Sequence, residues 1–483
     1  MEVTDIVTFI QDGVTKNINF STDGLKPTTT VLNYLRKSST HKGTKEGCAE
    51  GDCGACTVVL GEIGKDNKMQ YTAIDSCLVF LPALHGKQLI TVENLAHSEN
   101  KEEQLHPVQQ AMVETNGSQC GYCTPGFIMS LFALYKKENN PSKNSIEDAL
   151  TGNLCRCTGY KPIVEAAAKA CIHQGADHFS NKEKDVLKLL QSIQKKNQSI
   201  RISYPDQHYF KPQTLDEALR HLSEKQNALL INGATDVALR VTKKHELLGE
   251  IIDLSAISEL KFMEKTGDTI FIGAGLSLEE IRLAVEKDLS ALHHMLNVFG
   301  SRQIRSLATL GGNIGSASPI GDTIPVLMAF DATVHLKNAL EKRSFNINDF
   351  ITGYRQTKRK PDELITGVSI PVPGAGTVIR SYKVSKRKDL DISTVNAGCR
   401  LELKDEIVHN IVLSYGGMAA ITKRATRTEI FLKGKSWSRQ VLEEAGDILY
   451  NEFTPISDAR SGAEFRKLAA KNILLKFWNE TKN

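Results

Sequence analysis

The chain has 483 residues, of which 41% are hydrophobic and 24% charged, a soluble globular mixture long enough for several separate cores. Sixty Lys and Arg face 56 Asp and Glu, a formal charge of +4 that is too balanced to argue for nucleic acid as a partner. No apolar run approaches membrane-spanning length, and the N-terminal MEVTDIVTFIQDG lacks a secretory pattern, so a cytoplasmic protein without membrane attachment is expected. In that compartment the ten cysteines stay reduced, and eight of them fall between Cys48 and Cys157, a clustering that suits metal ligation better than disulfides.

Residues 1–90 read as a β-rich domain. DIVTFIQDG and KNINFST alternate apolar and polar residues around a turn, as a hairpin does. TTVLNYLRKSS is a short helix pattern, followed by the Gly/Cys-rich loop GCAEGDCGAC and the strand TVVLGEI. Residues 91–172 read as a small helical bundle. HPVQQAMVETNG stops at Asn116-Gly117, TPGFIMSLFALYKK opens with Thr124 as N-cap, SIEDALTGN opens with Ser145 as N-cap, and KPIVEAAAKACI places a proline at its start. Residues 173–200 are lysine-rich and read as a solvated linker whose middle can form a helix.

Residues 201–375 mix helix and strand patterns. Thr214 with Glu217, and Ser277 with Glu280, form capping boxes, and ALLING, EIIDLS and TIFIGAG are strands between them. Residues 376–483 give strands (VIRSYKVS, AGCRLEL, EIVHNIVLSYGG) and then helices, a separate α+β unit.

Cys48, Cys53, Cys56 and Cys77 follow C-x4-C-x2-C-x20-C, the plant-type [2Fe–2S] spacing. Thiolates are soft anionic donors suited to iron, and wrapping a small inorganic core demands tight curvature, which Gly47, Gly51 and Gly54 supply. Cys120, Cys123, Cys155 and Cys157 give C-x2-C-x31-C-x1-C. Each pair precedes an expected helix, where the macrodipole favours a thiolate-ligated cluster. By spacing alone, zinc remains an alternative there. Cys171 and Cys399 are left over and read as small buried hydrophobes. Neither a P-loop nor a G-x-G-x-x-G is present, but LLINGATDV and TLGGNIGSASPIGD are loops of small residues suited to a pyrophosphate.

QCGYCTPG (119–126) and GNLCRCTGY (152–160), preceded by GCAEGDCGACTV (47–58), resemble the iron–sulfur part of the xanthine dehydrogenase/aldehyde oxidase family of molybdenum hydroxylases. The resemblance implies a multidomain α+β chain: a β-grasp ferredoxin-like domain (1–90), a four-helix [2Fe–2S] bundle (91–172), a linker (173–200), an α+β FAD-binding domain (201–375) and a C-terminal α+β domain (376–483). It implies that Cys120, Cys123, Cys155 and Cys157 hold the cluster nearer molybdenum, with Gln119 close to the pterin, and that the Cys48 group holds the cluster nearer the flavin.

For FAD it implies Leu230, Ile231, Asn232, Gly233, Ala234, Thr235, Asp236 and Val237 along the pyrophosphate and ribityl chain. Phe299, Thr309, Gly312, Asn313, Ser316 and Asp322 are further contacts, and Ile365 and Lys383 match positions near the isoalloxazine ring and adenine. The family's GNTE reads Gly233-Ala234-Thr235-Asp236 here, which costs one amide, and KRKDLDIS (386–393) resembles the family's mobile loop near the flavin.

The chain ends after the flavin part, so it resembles the iron–sulfur/FAD small subunit of split, bacterial-type members. The implied role is electron transfer from hypoxanthine or xanthine hydroxylation at a molybdenum-cofactor-binding large subunit, through two [2Fe–2S] clusters to FAD and then NAD. A heterodimer or a dimer of heterodimers follows by the same resemblance. The alternatives are the same role toward an aldehyde, nicotinate or carbon monoxide, a free-standing flavin/iron–sulfur carrier, or a zinc-stabilised binding module.

Overall fold

The computed structural model describes residues 3–99, 102–172, 177–196 and 198–482. They fall into two compact units. The first takes the chain up to Gln213 together with Asn227–Ala256 and Ser301–Leu307; the second takes Thr214–Gln226, Ile257–Gly300 and the chain from Ala308 onward.

The first unit opens with the expected hairpin, β1 (Ile6–Gln11) and β2 (Val14–Asn19). Its two turn residues, Asp12 and Gly13, both have positive φ (53° and 75°), the turn type that matches strand twist. Helix α1 (Val31–Lys37) is capped by the Thr30 hydroxyl and buries Val31, Leu32 and Leu35. Strands β3 (Thr57–Ile63), β4 (Met69–Asp75) and β5 (Gln88–Ile90) complete a sheet in the order β2-β1-β5-β3-β4, with β1 and β5 parallel. This is the β-grasp, ferredoxin-like domain.

Four helices follow: α2 (Pro107–Glu114), α3 (Thr124–Lys137), α4 (Lys143–Leu150) and α5 (Lys161–Ala170). They close on a core that includes Phe127, Leu131, Phe132, Ile146, Ile163 and Ala166. Two starts differ from expectation. Cys123, not Thr124, is the N-cap of α3. Helix α4 begins earlier because Ser142, not Ser145, is the cap, its hydroxyl accepting from Ser145 N at 3.1 Å.

The stretch expected as a tether carries helix α6 (His178–Gln194). Its Phe179, Val186, Leu190 and Ile193 recur at helical spacing and are buried, so an apolar stripe outweighs the lysines around it. Residues 173–176 and 197 of that stretch lie outside the described residues.

A third layer of the unit is a sheet in which Val3–Thr4, β6 (Ser199–Tyr204), β7 (Gln207–Lys211), β9 (Glu250–Asp253) and β8 (Leu229–Ile231) are neighbours in that order. The Val3–Thr4 pairing holds this sheet to the unit that contains the N-terminus, so the unit boundary cuts across the region 201–375.

The second unit starts with α7 (Leu215–Glu224), capped by Thr214, and a sheet ordered β10-β11-β14-β12-β13. These strands are β10 (Met263–Thr266), β11 (Thr269–Gly273), β12 (Thr333–Lys337), β13 (Lys342–Asn346) and β14 (Leu364–Pro371). Helix α8 (Leu278–Ala284) has the full capping box of Ser277 and Glu280, and at Thr214 the hydroxyl accepts from Glu217 N. Helices α9 (Ser290–Asn297), α10 (Leu310–Ser316) and α11 (Thr323–Ala329) lead to the C-terminal sheet of β15 (Thr377–Val384), β16 (Val395–Lys404) and β17 (Ile407–Gly416). Helices α12 (Thr426–Leu432), α13 (Arg439–Tyr450) and α14 (Ala463–Thr481) finish the unit, and Phe477, Trp437 and Leu474 share its core with β16 and β17. Cys171 and Cys399 are both buried. Among the described residues, no helix is long and apolar enough to cross a membrane.

Candidate redox centres and flavin segments

The first cysteine loop links α1 to β3. Gly51 and Gly54 adopt positive φ (75° and 66°), which turns the chain back on itself within a few residues. Gly47 serves a different end, since a Cβ there would lie 2.7 Å from Cys53 Sγ. The four thiols come in two pairs: Cys48 interacts directly with Cys53, and Cys56 with Cys77. Cys56 and Cys77 are buried, while Cys48 and Cys53 are half-buried. Backbone N–H groups of Glu50 (3.4 Å) and Asp52 (3.3 Å) donate to Cys48 Sγ. The Cys53 hydrogen bond brings the Cys48 thiol down to about 6, against burial and with help from those amides. Cys53 and Cys56 are pushed up, each first by the thiol it pairs with and then by burial.

The second set pairs across its two motifs, Cys123 with Cys155 and Cys120 with Cys157. Cys123 caps α3, and Tyr160 (φ 68°) turns the chain into α5 while its hydroxyl accepts from Cys155 N at 3.0 Å. Thr158 Oγ1 donates to Cys155 Sγ at 3.2 Å. Burial, then the Cys155 thiol, lifts Cys123 to about 12. Cys120 and Cys157 are exposed, as are their neighbours Gln119, Tyr122 and Tyr160.

Among the described residues, no three His, Cys, Asp or Glu side chains gather around one point. Four soft anionic sulfur donors in each set, with backbone amides and a hydroxyl donating to Cys48 and Cys155, are the donor chemistry of a thiolate-held iron–sulfur group. The donor set fits two [2Fe–2S] groups.

The expected flavin segments lie one in each unit. In the first, Leu230 and Ile231 end strand β8, and Asn232, Gly233, Ala234 and Thr235 form a half-buried loop that passes Asp236 and Val237 into the short helix Ala238–Thr242. Ala234 has φ 58°, a conformation that asparagine takes more readily than alanine. A strand-loop-turn of small residues of this kind presents backbone amides to an anion.

In the second unit, the segment expected as a glycine loop is helix α10. Thr309 caps it, accepting from Gly312 N at 3.1 Å, and Ala317 ends it in a left-handed turn. Asn313 Oδ1 accepts from Thr323 at 2.6 Å, Ser316 donates to Asn313 O, and a Cβ at Gly315 would touch Ile365 Cδ1 at 3.4 Å. Phe299 follows α9 and is half-buried. Asp322 and Lys383 meet directly at 2.9 Å, and Lys383 also donates to Val298 O. Two residues that the sequence did not single out in this role complete the Asp322 shell: Ser393 Oγ donates at 2.5 Å and Asn396 Nδ2 at 2.6 Å. Ser393 is the last residue of the KRKDLDIS loop, in which Arg387 and Asp391 pair.

Family models match four successive stretches. They are described as a 2Fe-2S iron-sulfur cluster binding domain (14–80), a [2Fe-2S] binding domain (91–168), the FAD binding domain in molybdopterin dehydrogenase (199–373) and the CO dehydrogenase flavoprotein C-terminal domain (380–481). The chain carries the iron–sulfur and flavin domains of the xanthine dehydrogenase family.

Relatives include the xanthine dehydrogenases of Emericella nidulans (33% identical over 95% of this chain) and Oryza sativa subsp. japonica (31% over 93%). The xanthine dehydrogenase/oxidase of Gallus gallus is 31% identical over 94%. The chain spans 38% of the length of each. Among solved structures, a chain of the carbon monoxide dehydrogenase of Hydrogenophaga pseudoflava matches 56% of this chain and 94% of its own length, with TM-score 0.53 and 22% identity. A chain of quinoline 2-oxidoreductase from Pseudomonas putida 86 matches 58% and 98%, also with TM-score 0.53 and 22% identity. These two likenesses speak for the fold.

Proposed function

We propose that this chain is the electron-transfer component of a molybdenum hydroxylase that oxidises hypoxanthine or xanthine. The observation that carries the proposal is that eight free cysteines lie four in each of two stretches matched as [2Fe-2S] binding domains, the first four around the glycine-turned loop and the second four ahead of α3 and α5. When bound, the clusters carry single electrons and FAD joins them to NAD, a two-electron acceptor.

Cys48, Cys53, Cys56 and Cys77 would hold one cluster, and Cys120, Cys123, Cys155 and Cys157 the other. The Glu50 and Asp52 amides hold negative charge on Cys48, and Thr158 does so on Cys155. The exposed Cys120/Cys157 pair with Gln119, Tyr122 and Tyr160 forms a face suited to a molybdenum-cofactor-binding partner. Leu230–Val237, Phe299, Thr309, Gly312, Asn313, Ser316, Asp322, Ile365 and Lys383 would hold FAD, Asp322 acting with Ser393 and Asn396 behind it. The working domain limits are 1–90, 91–172, 201–375 and 376–483, with 173–200 between the iron–sulfur and flavin parts.

Relatives named xanthine dehydrogenase, similar along more than nine-tenths of the chain, support purine as the substrate class. The test is a visible spectrum with iron, sulfide and flavin quantification on natively purified protein, together with the identity of what co-purifies. About four irons and one FAD per chain, with a molybdenum-containing partner, are expected. A colourless, iron-free and flavin-free anaerobic preparation refutes the proposal, and elution alone at monomer mass without molybdenum refutes the hydroxylase part.

A further inference from the structure

One backbone hydrogen bond joins the two cysteine loops of the first unit: Leu154 N–H donates to the Cys53 carbonyl at 3.0 Å. Cys53 belongs to the first set, and Leu154 directly precedes Cys155 of the second. The path from Cys53 Sγ to Cys155 Sγ therefore runs along covalent bonds broken once, by an N–H···O contact.

The surroundings hold this contact tightly. Asn153 is buried and uses both ends of its amide. Its Nδ2 donates to Gly54 O at 3.1 Å and to Thr57 Oγ1 at 3.2 Å. Its Oδ1 accepts from Ser130 Oγ at 2.6 Å and from Gln303 Nε2 at 3.1 Å. Ser130 and Gln303 are themselves buried and bonded to each other at 2.9 Å. Glycines let the backbones close up. A Cβ at Gly54 would fall 2.3 Å from Gly152 O, and one at Gly126 would fall 2.1 Å from Gly54 O. An ordinary packing contact between two small domains needs apolar fit, not ligand-bearing backbones in direct hydrogen bond with a fully used amide locking them.

We infer that the Cys53–Leu154 hydrogen bond is the tunnelling link between the two clusters and that Asn153 is its positioning residue. The inference rests on the cysteine ligation proposed above. The step moves one electron and no proton: the Cys123/Cys155 side loses an electron and the Cys48/Cys53 side gains it. Bonded paths carry tunnelling better than van der Waals gaps, so the link sets the electronic coupling without changing either cluster's own ligands.

The test uses the holo-protein and two variants. Leu154→Pro removes the N–H donor. Asn153→Leu keeps the donor and removes the brace. Iron and sulfide are quantified first. The fully reduced protein is then examined by electron paramagnetic resonance for the exchange interaction between the clusters, and electron redistribution is timed after pulse reduction. The expected result is that Leu154→Pro keeps about four irons and each cluster's own g-values. Its exchange splitting collapses and redistribution slows several-fold, with Asn153→Leu changed in the same direction by less. Wild-type splitting and rate in a variant that keeps both clusters overturn the link. If Leu154→Pro loses iron, Asn153→Leu decides by the same reading. A wild-type protein without iron refutes the ligation itself, a separate result.

Discussion

Lys383 Nζ lies 2.9 Å from Asp322 Oδ2, with both side chains almost sealed from water. A charge so placed is held by its partner, because solvent cannot replace it. Ser393 and Asn396 occupy the other carboxylate oxygen, so Asp322 draws β15 and the start of β16 onto the head of α11.

Removing that carboxylate should strand the lysine. Asp322→Ala is expected to cost about 3–5 kcal/mol in the second unit, and Asp322→Asn less, because it keeps the shape and part of the hydrogen bonding. The chain's two tryptophans, Trp437 and Trp478, both lie in that unit, so the urea midpoint of tryptophan emission reads it selectively. An unmoved midpoint in Asp322→Ala would show that the pair does not hold the fold. FAD content should fall with the midpoint.

Cys155→Ser separates the two proposed centres. Serine is a poor donor to iron in a thiolate site, so iron should fall from about four to about two per chain, with the ferredoxin-like cluster retained. Purine-to-NAD turnover should stop, while NADH-to-dye turnover at the flavin should survive because that path bypasses the lost cluster. Equal loss of both activities would refute the wiring order.

The hairpin at Asp12-Gly13 and the cap at Ser277 were legible because each depends on residues a few positions apart. What was not legible depends on distance in the chain. Ser393 and Asn396 are ordinary polar residues until the fold carries them to Asp322. Asn153 reads as a turn residue in GNLCRC, and only its contacts with Gly54, Ser130 and Gln303 reveal a brace. The start of α4 was ambiguous for a local reason: Ser142 and Ser145 both suit a cap, and Ser142 takes it by accepting the Ser145 amide. In α6 the lysines masked a sparse apolar stripe, which counts only once a surface is there to receive it.

Asp177 is expected to make the helical domain acid-sensitive. Burial raises its carboxyl, but hydrogen bonds from His106, Ser180 and Lys136 outweigh burial and hold it well below the usual range. His106 Nε2 lies 3.1 Å away and Lys136 Nζ 2.9 Å, and all three side chains are nearly buried. A carboxyl depressed in the folded state adds stability that is complete above its unfolded value, about 3.9, and that drains away as pH falls toward the folded value. Hydrogen-exchange protection factors of α3 and α6 should therefore be flat at neutral pH and drop below about pH 4. Asp177→Asn should start lower at neutral pH and lack that step. A step of the same size in the variant would assign the acid response to another group.

Two glycines of the cysteine loops separate backbone strain from steric overlap. Gly54 (φ 66°) and Gly121 (φ 84°) both occupy the left-handed region, so alanine at either should cost about 1–2 kcal/mol in conformation alone. Their surroundings differ. Nothing lies within 4 Å of a Cβ at Gly121, whereas one at Gly54 would meet Gly152 O at 2.3 Å and Asn153 Nδ2 at 2.4 Å. The first of these neighbours is backbone in the second cysteine loop and cannot swing aside, so the two loops must part. Gly121→Ala should keep both clusters' visible absorbance and bleach at slightly lower temperature than the parent. Gly54→Ala should bleach at much lower temperature, or fail to hold colour, with both clusters affected because both loops shift. Equal bleaching temperatures in the two variants would mean that the loops are not pressed together at Gly54 as the backbone geometry requires.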